Sequence, residues 1–98
     1  MPGAGSQRIT ADGVIGTSGK AIRLFSYTMR SGAGGAGEIV LYNGTDTTGT
    51  EKWKGAGNVD SSADKVFGVK GKFFPAGLYC DMDANVSYVD FDYVQETA

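Results

Sequence analysis

Apolar and polar residues alternate with a period of two along residues 77–94, a pattern typical of β-strands that bury one face. The apolar positions of its two halves are Leu78, Cys80, Met82, Val89, Phe91 and Tyr93. The intervening positions are Tyr79, Asp81, Asp83, Val86, Tyr88, Asp90 and Asp92. A two-residue turn at Ala84-Asn85 would align the two apolar sides. We therefore predict one antiparallel hairpin with an acidic, tyrosine-bearing outer surface.

The rest of the chain also divides into short β-type segments separated by turn residues. The predicted strands are 7–15, interrupted at Asp12-Gly13, then 20–29, 38–42, 51–54 and 66–69, and 73–77 is a bend. In the second of these the apolar phase changes at Leu24-Phe25, which predicts a β-bulge or a strand buried on both faces. Asn43-Gly44 is the dipeptide best suited to a tight turn after the third.

No segment shows the spacing of three and four residues that marks an amphipathic helix, and each of the 16 glycines would cost about 1 kcal/mol inside one. The pattern predicts an all-β fold, an antiparallel β-sandwich of six to eight strands with jelly-roll-like topology. A small β-barrel is the alternative. We divide the chain into a flexible N-terminal arm over 1–13 and a single β-sandwich domain over 14–98.

The charge balance argues against nucleic acid as a partner. The 98 residues carry 11 acidic and 9 basic side chains, a net charge of −2, without the clustered cations that hold a phosphate backbone. No apolar run approaches the roughly 18 residues of a membrane span, and residues 1–6 lack the apolar run of a signal peptide. We expect a protein that is made in a cytosol and is not membrane-bound.

Catalytic chemistry is poorly represented. Histidine is absent, which removes the commonest general base and metal ligand. Asp90 and Asp92 share an exposed strand face, without the apolar pocket that would raise the pKa of one of them. The single cysteine, Cys80, lies on the predicted core face and should be a buried, reduced thiol. We expect neither an enzyme nor a protein that needs a cofactor or a metal.

Two motifs resemble ligand sites but fail on context. Residues 32–37 match the GxGxxG phosphate-binding pattern, yet they lead into a predicted strand, where the motif requires a helix. Asp81, Asp83, Asn85 and Asp92 follow the spacing of a calcium loop, yet Val86 occupies its glycine position. We interpret the first as a connecting loop and the second as a solvated acidic face.

Candidate partner-binding residues lie in two places. Trp53, between Lys52 and Lys54, could be a contact anchor or a carbohydrate platform, or could close the edge of the core. The segment Met1, Pro2, Gly3, Ala4, Gly5 and Ser6 has little side-chain surface to pack. The same holds for 31–37. We expect neighbouring chains to hold both segments in place, and Met1 to Ser6 to contact another chain.

Four pieces of the sequence form a pattern in which turns and strands recur in a set order: 18–24, 41–45, 48–50 and 74–79. In this respect residues 18–94 resemble small β-sandwich virion proteins of tailed bacteriophages, of the capsid decoration or cement type. The resemblance implies a non-enzymatic structural protein of the virion that binds the outside of an icosahedral head in many copies. It also implies the major capsid protein or other virion proteins as partners, and a homo-oligomer, with a trimer as one form.

Two other functions remain open from the sequence. A tail, adaptor or fibre component of the same kind of particle would share the fold and differ in where it docks. A small carbohydrate-binding module would use Trp53 and exposed tyrosines. A buried Trp53 would count against such a module, and a line of exposed aromatic residues on one sheet would favour it.

Overall fold

The computed structural model describes residues 3–96, which form nine β-strands. The strands are β1 (Gly3–Ile9), β2 (Gly13–Ile15), β3 (Ile22–Ser31), β4 (Glu38–Asn43), β5 (Thr50–Ala56), β6 (Ser62–Val66), β7 (Lys72–Phe74), β8 (Leu78–Met82) and β9 (Val86–Gln95). Over this part of the chain, no helix has the length and apolar character to cross a membrane.

The strands form two antiparallel sheets packed face to face, which confirms the predicted β-sandwich. Sheet A has the order β1-β9-β3, and β6 and β7 pair one after the other with two successive stretches of the free edge of β3. Sheet B has the order β2-β8-β4-β5. The described residues form nine strands, which is more than the six to eight that we predict from the sequence. The predicted strand 7–15 is two strands in different sheets, and the predicted bend begins with β7.

The predicted hairpin over 77–94 is wrong in its pairing. β8 lies in sheet B and β9 in sheet A, so the turn between them crosses from one sheet to the other. The inward positions are nevertheless correct, since Leu78, Cys80 and Phe91 are fully buried. Alternation specifies which side chains point inward, and two strands facing each other across a core satisfy it as well as two neighbours in one sheet. Val86, predicted outside, is buried beside the crossing.

The phase change in β3 is confirmed as a bulge. The register between β3 and β9 shifts between Leu24 and Ser26, which leaves Phe25 as the extra residue. Leu24 before the bulge and Tyr27 after it both face the core. The bulge therefore keeps a ten-residue strand facing one core.

The core lies between the two sheets. Its buried hydrophobic members are Ile9, Ile15, Ile22, Leu24, Tyr27, Met29, Ile39, Leu41, Phe74, Leu78, Cys80, Met82, Val86, Val89 and Phe91. Every buried side-chain nitrogen or oxygen in the described residues has a hydrogen-bond partner. The Ser31 hydroxyl, for example, accepts a hydrogen bond from the Gly37 amide at 3.1 Å.

The flexible arm predicted over 1–13 is not what the structure contains from Gly3 onward. Gly3–Ile9 pairs with β9 without interruption, from Gly3 opposite Gln95 to Ile9 opposite Val89. Small residues suffice because the strand is held by backbone hydrogen bonds. At Gly5 the fit is close, since a Cβ there would lie 3.2 Å from the Tyr93 ring and the ring would have to shift.

The Gly/Ala loop after β3 is held in part by its own chain, because the Gly32 amide donates to the Asn85 carbonyl and the Asn85 side chain donates to the Ala36 carbonyl. Two other local predictions are corrected. The strand predicted over 66–69 lies earlier, at Ser62–Val66. β4 extends to Asn43 and is followed by the loop 44–49, longer than a tight two-residue turn.

Candidate interaction surfaces

The structure does not bring the predicted partner-binding residues together. Met1 and Pro2 lie outside the described residues. Gly3, Ala4, Gly5 and Ser6 belong to β1, the edge strand of sheet A beside β2. Trp53 belongs to β5, the edge strand of sheet B on the opposite side of the sandwich, facing β6 and β7. They are separate surfaces and are described separately.

β1 differs from the other edge strands in lacking protection. Edge strands commonly avoid unwanted pairing by being short, by carrying charges or proline, or by bulging. β2 and β7 have three residues each, and β6 carries Asp64 and Lys65. β5 carries Glu51, Lys52 and Lys54, and has a register shift. β1 has seven residues in continuous register and one charge, Arg8, which is bound to Asp90. Its outer edge pairs with no strand of the described residues, and the Gln7 side chain links β1 to the backbone of Val14 and Gly16.

Trp53 closes the open side of the core. Its indole nitrogen donates a hydrogen bond to the Tyr27 hydroxyl at 2.9 Å, and its ring meets Phe67 edge-on at 5.1 Å. The Lys65 ammonium lies 5.0 Å from the ring centroid. Burial raises the pKa of the Tyr27 hydroxyl, while the indole donor opposes that shift. Of the three roles considered, the contacts match the closing of a core edge.

A basic and apolar surface, which we call the lysine edge, lies on β6, β7 and the loop between them. It consists of Lys65, Val66, Val69, Lys70, Lys72 and Phe73. Val69 is 96% exposed and Val66 is 70% exposed. Gly71 has φ +66°, and a Cβ there would lie 2.8 Å from the Leu24 carbonyl, so the backbone fixes the loop that presents Val69. Exposed valines among lysines are typical of a contact surface.

The outer face of sheet A pairs its three arginines with carboxylates, while Asp64 and Asp92 stay exposed and form no ion pair within the described residues. Arg8 binds both carboxylate oxygens of Asp90, at 2.7 and 2.9 Å, and lies 4.0 Å from the Tyr88 ring centroid. Arg30 pairs with Asp60 at 2.8 Å, and Arg23 with Glu96 at 3.5 Å. These are the ion pairs found among residues 3–96. The hydrogen bond from Arg8 holds the pKa of the Asp90 carboxyl below its usual range.

The outer face of sheet B has no such pairing. Val14, Tyr79 and Tyr42 lie in one cross-strand row, with Val40 in the next, and all four are partly exposed. We call these four residues, with the flanking carboxylates Asp12, Asp46 and Asp81, the tyrosine face. None of its carboxylates forms an ion pair within the described part of the chain. The rings of Tyr42 and Tyr79 are 6.4 Å apart and inclined at 54°.

Electrostatics mark this face as short of positive charge. Partial burial, followed by the charges of Asp12, Asp81 and Asp46, raises the pKa of the Tyr79 hydroxyl. Burial, followed by Asp12 and Asp83, raises the pKa of the Asp81 carboxyl. A cationic group placed here would offset the part of both shifts that comes from the neighbouring carboxylates.

The structure supports no metal or redox site among the described residues. No group of three or more potential metal ligands is present in residues 3–96. Asp83, from the calcium-like spacing, accepts hydrogen bonds from the Glu38 and Asn85 amides and so organises the turn. Cys80 is fully buried, as predicted, and burial raises the pKa of its thiol. Residues 32–37 lead into β4, so the phosphate motif lacks its helix.

The lysine edge was not predicted from the sequence, because residues 66–69 have the composition of a strand. A usable signal was present: Val69 stands between Gly68 and Gly71 and next to Lys70, a composition more typical of a turn. Five of the nine basic residues also fall between 52 and 72.

Neither the protein-family models nor the curated proteins compared with this chain match its sequence.

Proposed function

We propose that this protein is a non-enzymatic structural component of a tailed-bacteriophage virion. In this proposal it decorates or cements the outer surface of the head and binds the major capsid protein or another virion protein. It is made in the host cytoplasm and incorporated into the particle. The proposal starts from the resemblance of residues 18–94 to such proteins.

The observation that carries the proposal is the unprotected outer edge of β1. A continuous seven-residue edge with one neutralised charge favours strand addition, in which a partner's extended segment gains main-chain hydrogen bonds. A free protein with such an edge is prone to aggregation, whereas in a protein that remains bound to a capsid shell the shell covers the edge. Attachment by β1 also retains Gly3 to Ser6 as partner-binding residues.

The two alternative functions differ in their support. A tail, adaptor or fibre component would use the same edge, and its copy number per particle would separate it from a decoration protein. A carbohydrate-binding module is less well supported. The indole nitrogen and ring of Trp53 are engaged within the protein, and the 54° inclination of Tyr42 to Tyr79 provides no flat platform for a sugar ring.

The test is binding of the purified protein to assembled particles of the virus that encodes it, with copy number measured. The key variant is Ser6→Lys, which adds a charge to β1 opposite Asp92, where the fold should tolerate it. Its matched control is Ser62→Lys, the same change at an exposed position on β6, at the other edge of sheet A.

We expect hundreds of copies per particle, and binding weakened about tenfold or more by Ser6→Lys but not by Ser62→Lys. Six or twelve copies would indicate a tail or vertex component instead. Absence of binding by the unaltered protein, or equal binding by both variants, would overturn the proposed attachment.

A further inference from the structure

The tyrosine face and the lysine edge are complementary in both charge and polarity. The tyrosine face offers three carboxylates that form no ion pair within the described residues, around two valines and two tyrosines. Asp12 and Asp46 accept backbone hydrogen bonds, and Lys54 borders the face opposite Val40. On the lysine edge Val66, Val69 and Phe73 are exposed, and its three lysines form no ion pair with the described residues. Each surface thus presents what the other lacks.

Within one molecule the two surfaces cannot meet. The tyrosine face covers the outside of sheet B, on β2, β8 and β4. The lysine edge belongs to sheet A, on strands paired with β3. The core lies between these sheets, so only a second molecule can bring the two surfaces into contact.

We propose that copies of this protein bind each other head to tail, with the tyrosine face of one copy docked on the lysine edge of the next. The proposal deepens the proposed function and rests on it, because a coat of many copies requires contacts between copies. Since the two patches differ, a bound pair of copies still has one tyrosine face and one lysine edge free, and the contact builds a ring or a chain.

The size of the tyrosine face determines how strong a contact we expect between two copies. Three strands spaced about 4.8 Å apart, over at most about five residues each, cover about 240 Å². This is well below the roughly 800 Å² per partner of a standard stable interface. We therefore expect a Kd of about 100 µM in solution. On a particle, attachment through β1 would raise the local concentration and make such weak contacts effective.

The experiment measures self-association of the full chain in solution, without particles, by sedimentation at low salt and about 1 mM protein, above the expected Kd. Two variants each disable one surface. Lys70→Glu reverses a charge on the lysine edge, and Asp81→Lys reverses one on the tyrosine face. The matched controls are Lys20→Glu, an exposed lysine elsewhere, and Asp92→Lys, on the outer face of sheet A. A thermal melt of each variant shows that it is folded.

The head-to-tail arrangement makes a specific prediction for mixtures. Neither surface variant should self-associate alone. Mixed, they should associate, because the Lys70→Glu copy retains its tyrosine face, the Asp81→Lys copy retains its lysine edge, and the two reversed charges are again opposite in sign. The unaltered protein and both controls should associate with increasing concentration, and salt near 0.5 M, where the Debye length is about 4 Å, should weaken the association.

Several results would overturn the proposal. The unaltered protein could remain monomeric at this concentration, or both surface variants could associate normally. A monomer whose Tyr42 and Tyr79 resonances respond to an oligosaccharide would reassign the tyrosine face to glycan binding. Particle binding through β1 is a separate measurement, so loss of self-association with retained particle binding removes this inference alone. Loss of particle binding with retained self-association would contradict the proposed function and would still support the contact between copies.

Discussion

The two outer faces of the sandwich are built by the same alternation but treat charge in opposite ways. On sheet A, Arg8 and Asp90 stand opposite each other on neighbouring strands and bind through two hydrogen bonds. On sheet B, Asp81 stands opposite Val40, and its charged neighbours Asp12 and Asp83 are also acidic. Sheet A pairs its arginines from within, whereas the carboxylates of the tyrosine face form no ion pair among the described residues.

This difference shows where a partner is needed. An exposed ion pair contributes little to stability, but it leaves a surface without strong demand for a ligand. A face with unpaired carboxylates around half-exposed tyrosines carries an unfavourable field and an apolar surface that a basic, apolar partner can relieve. On sheet A the surface that we expect to bind a partner is therefore the edge strand β1, and on sheet B it is the outer face.

The comparison depends on which side chains point outward, and β9 tests that most strongly. Phe91→Asp places a charge in the core at a position without any exposure, and should unfold the domain, since loss of a buried phenylalanine alone costs about 3–5 kcal/mol. Its neighbour Asp90→Asn removes one outward charge and should lower the Tm by a few degrees at most. Thermal melts of the two variants that coincide would show that the orientation of β9 is wrong.

Orientation was the part of the fold that could be predicted from sequence, because burial alternates residue by residue. The bulge at Phe25 was visible for the same reason, as a break in that alternation. Strand partners were not visible. The crossing between β8 and β9 satisfies the same pattern as a hairpin would, and the choice depends on contacts with β2, β4, β1 and β3, which are distant in sequence.

The candidate surfaces were predictable only in part. The alternation at Tyr79 and Asp81 predicted the acidic, tyrosine-bearing surface. It did not show that Asp90 lies on the other sheet, because that follows from the crossing between β8 and β9. The pairing of Arg8 with Asp90 joins residues 82 positions apart, and nothing local indicates it. Trp53 was weighed as a contact anchor, whereas its contact with Tyr27 depends on how the two sheets pack.

Cys80 tests whether the inner side of sheet B is inaccessible to solvent, in contrast to the partly exposed outer side. It follows Tyr79 and precedes Asp81, two residues of the tyrosine face, yet it is fully buried. A thiol reagent should label it at least about a hundredfold more slowly in the native protein than in denaturant, because labelling requires opening of the structure. A chemically matched short peptide containing the thiol gives the unprotected rate. Rapid labelling of the native protein would place Cys80 at the surface.

The smallest expected effect is the one that compares the two faces most directly, the opposite titration of Asp81 and Asp90. The pKa of the Asp81 carboxyl is raised by burial and by Asp12 and Asp83, whereas the pKa of the Asp90 carboxyl is lowered by Arg8. Carboxyl chemical shifts followed by NMR against pH, on protein dilute enough to be monomeric, should therefore show Asp90 ionising first as pH rises and Asp81 later.

Stability should follow with opposite signs. The folded state keeps a proton on Asp81 after the unfolded chain has lost it, so this contribution is present at low pH and is lost as pH rises through the raised pKa. The contribution of Asp90 is present above the ordinary pKa of an aspartate and is lost as pH falls through its lowered value. At neutral pH, Asp81→Asn should thus raise the Tm slightly and Asp90→Asn should lower it. If both substitutions changed the Tm in the same direction, the two faces would not differ in charge balance, and the reason for expecting a basic partner on sheet B would disappear.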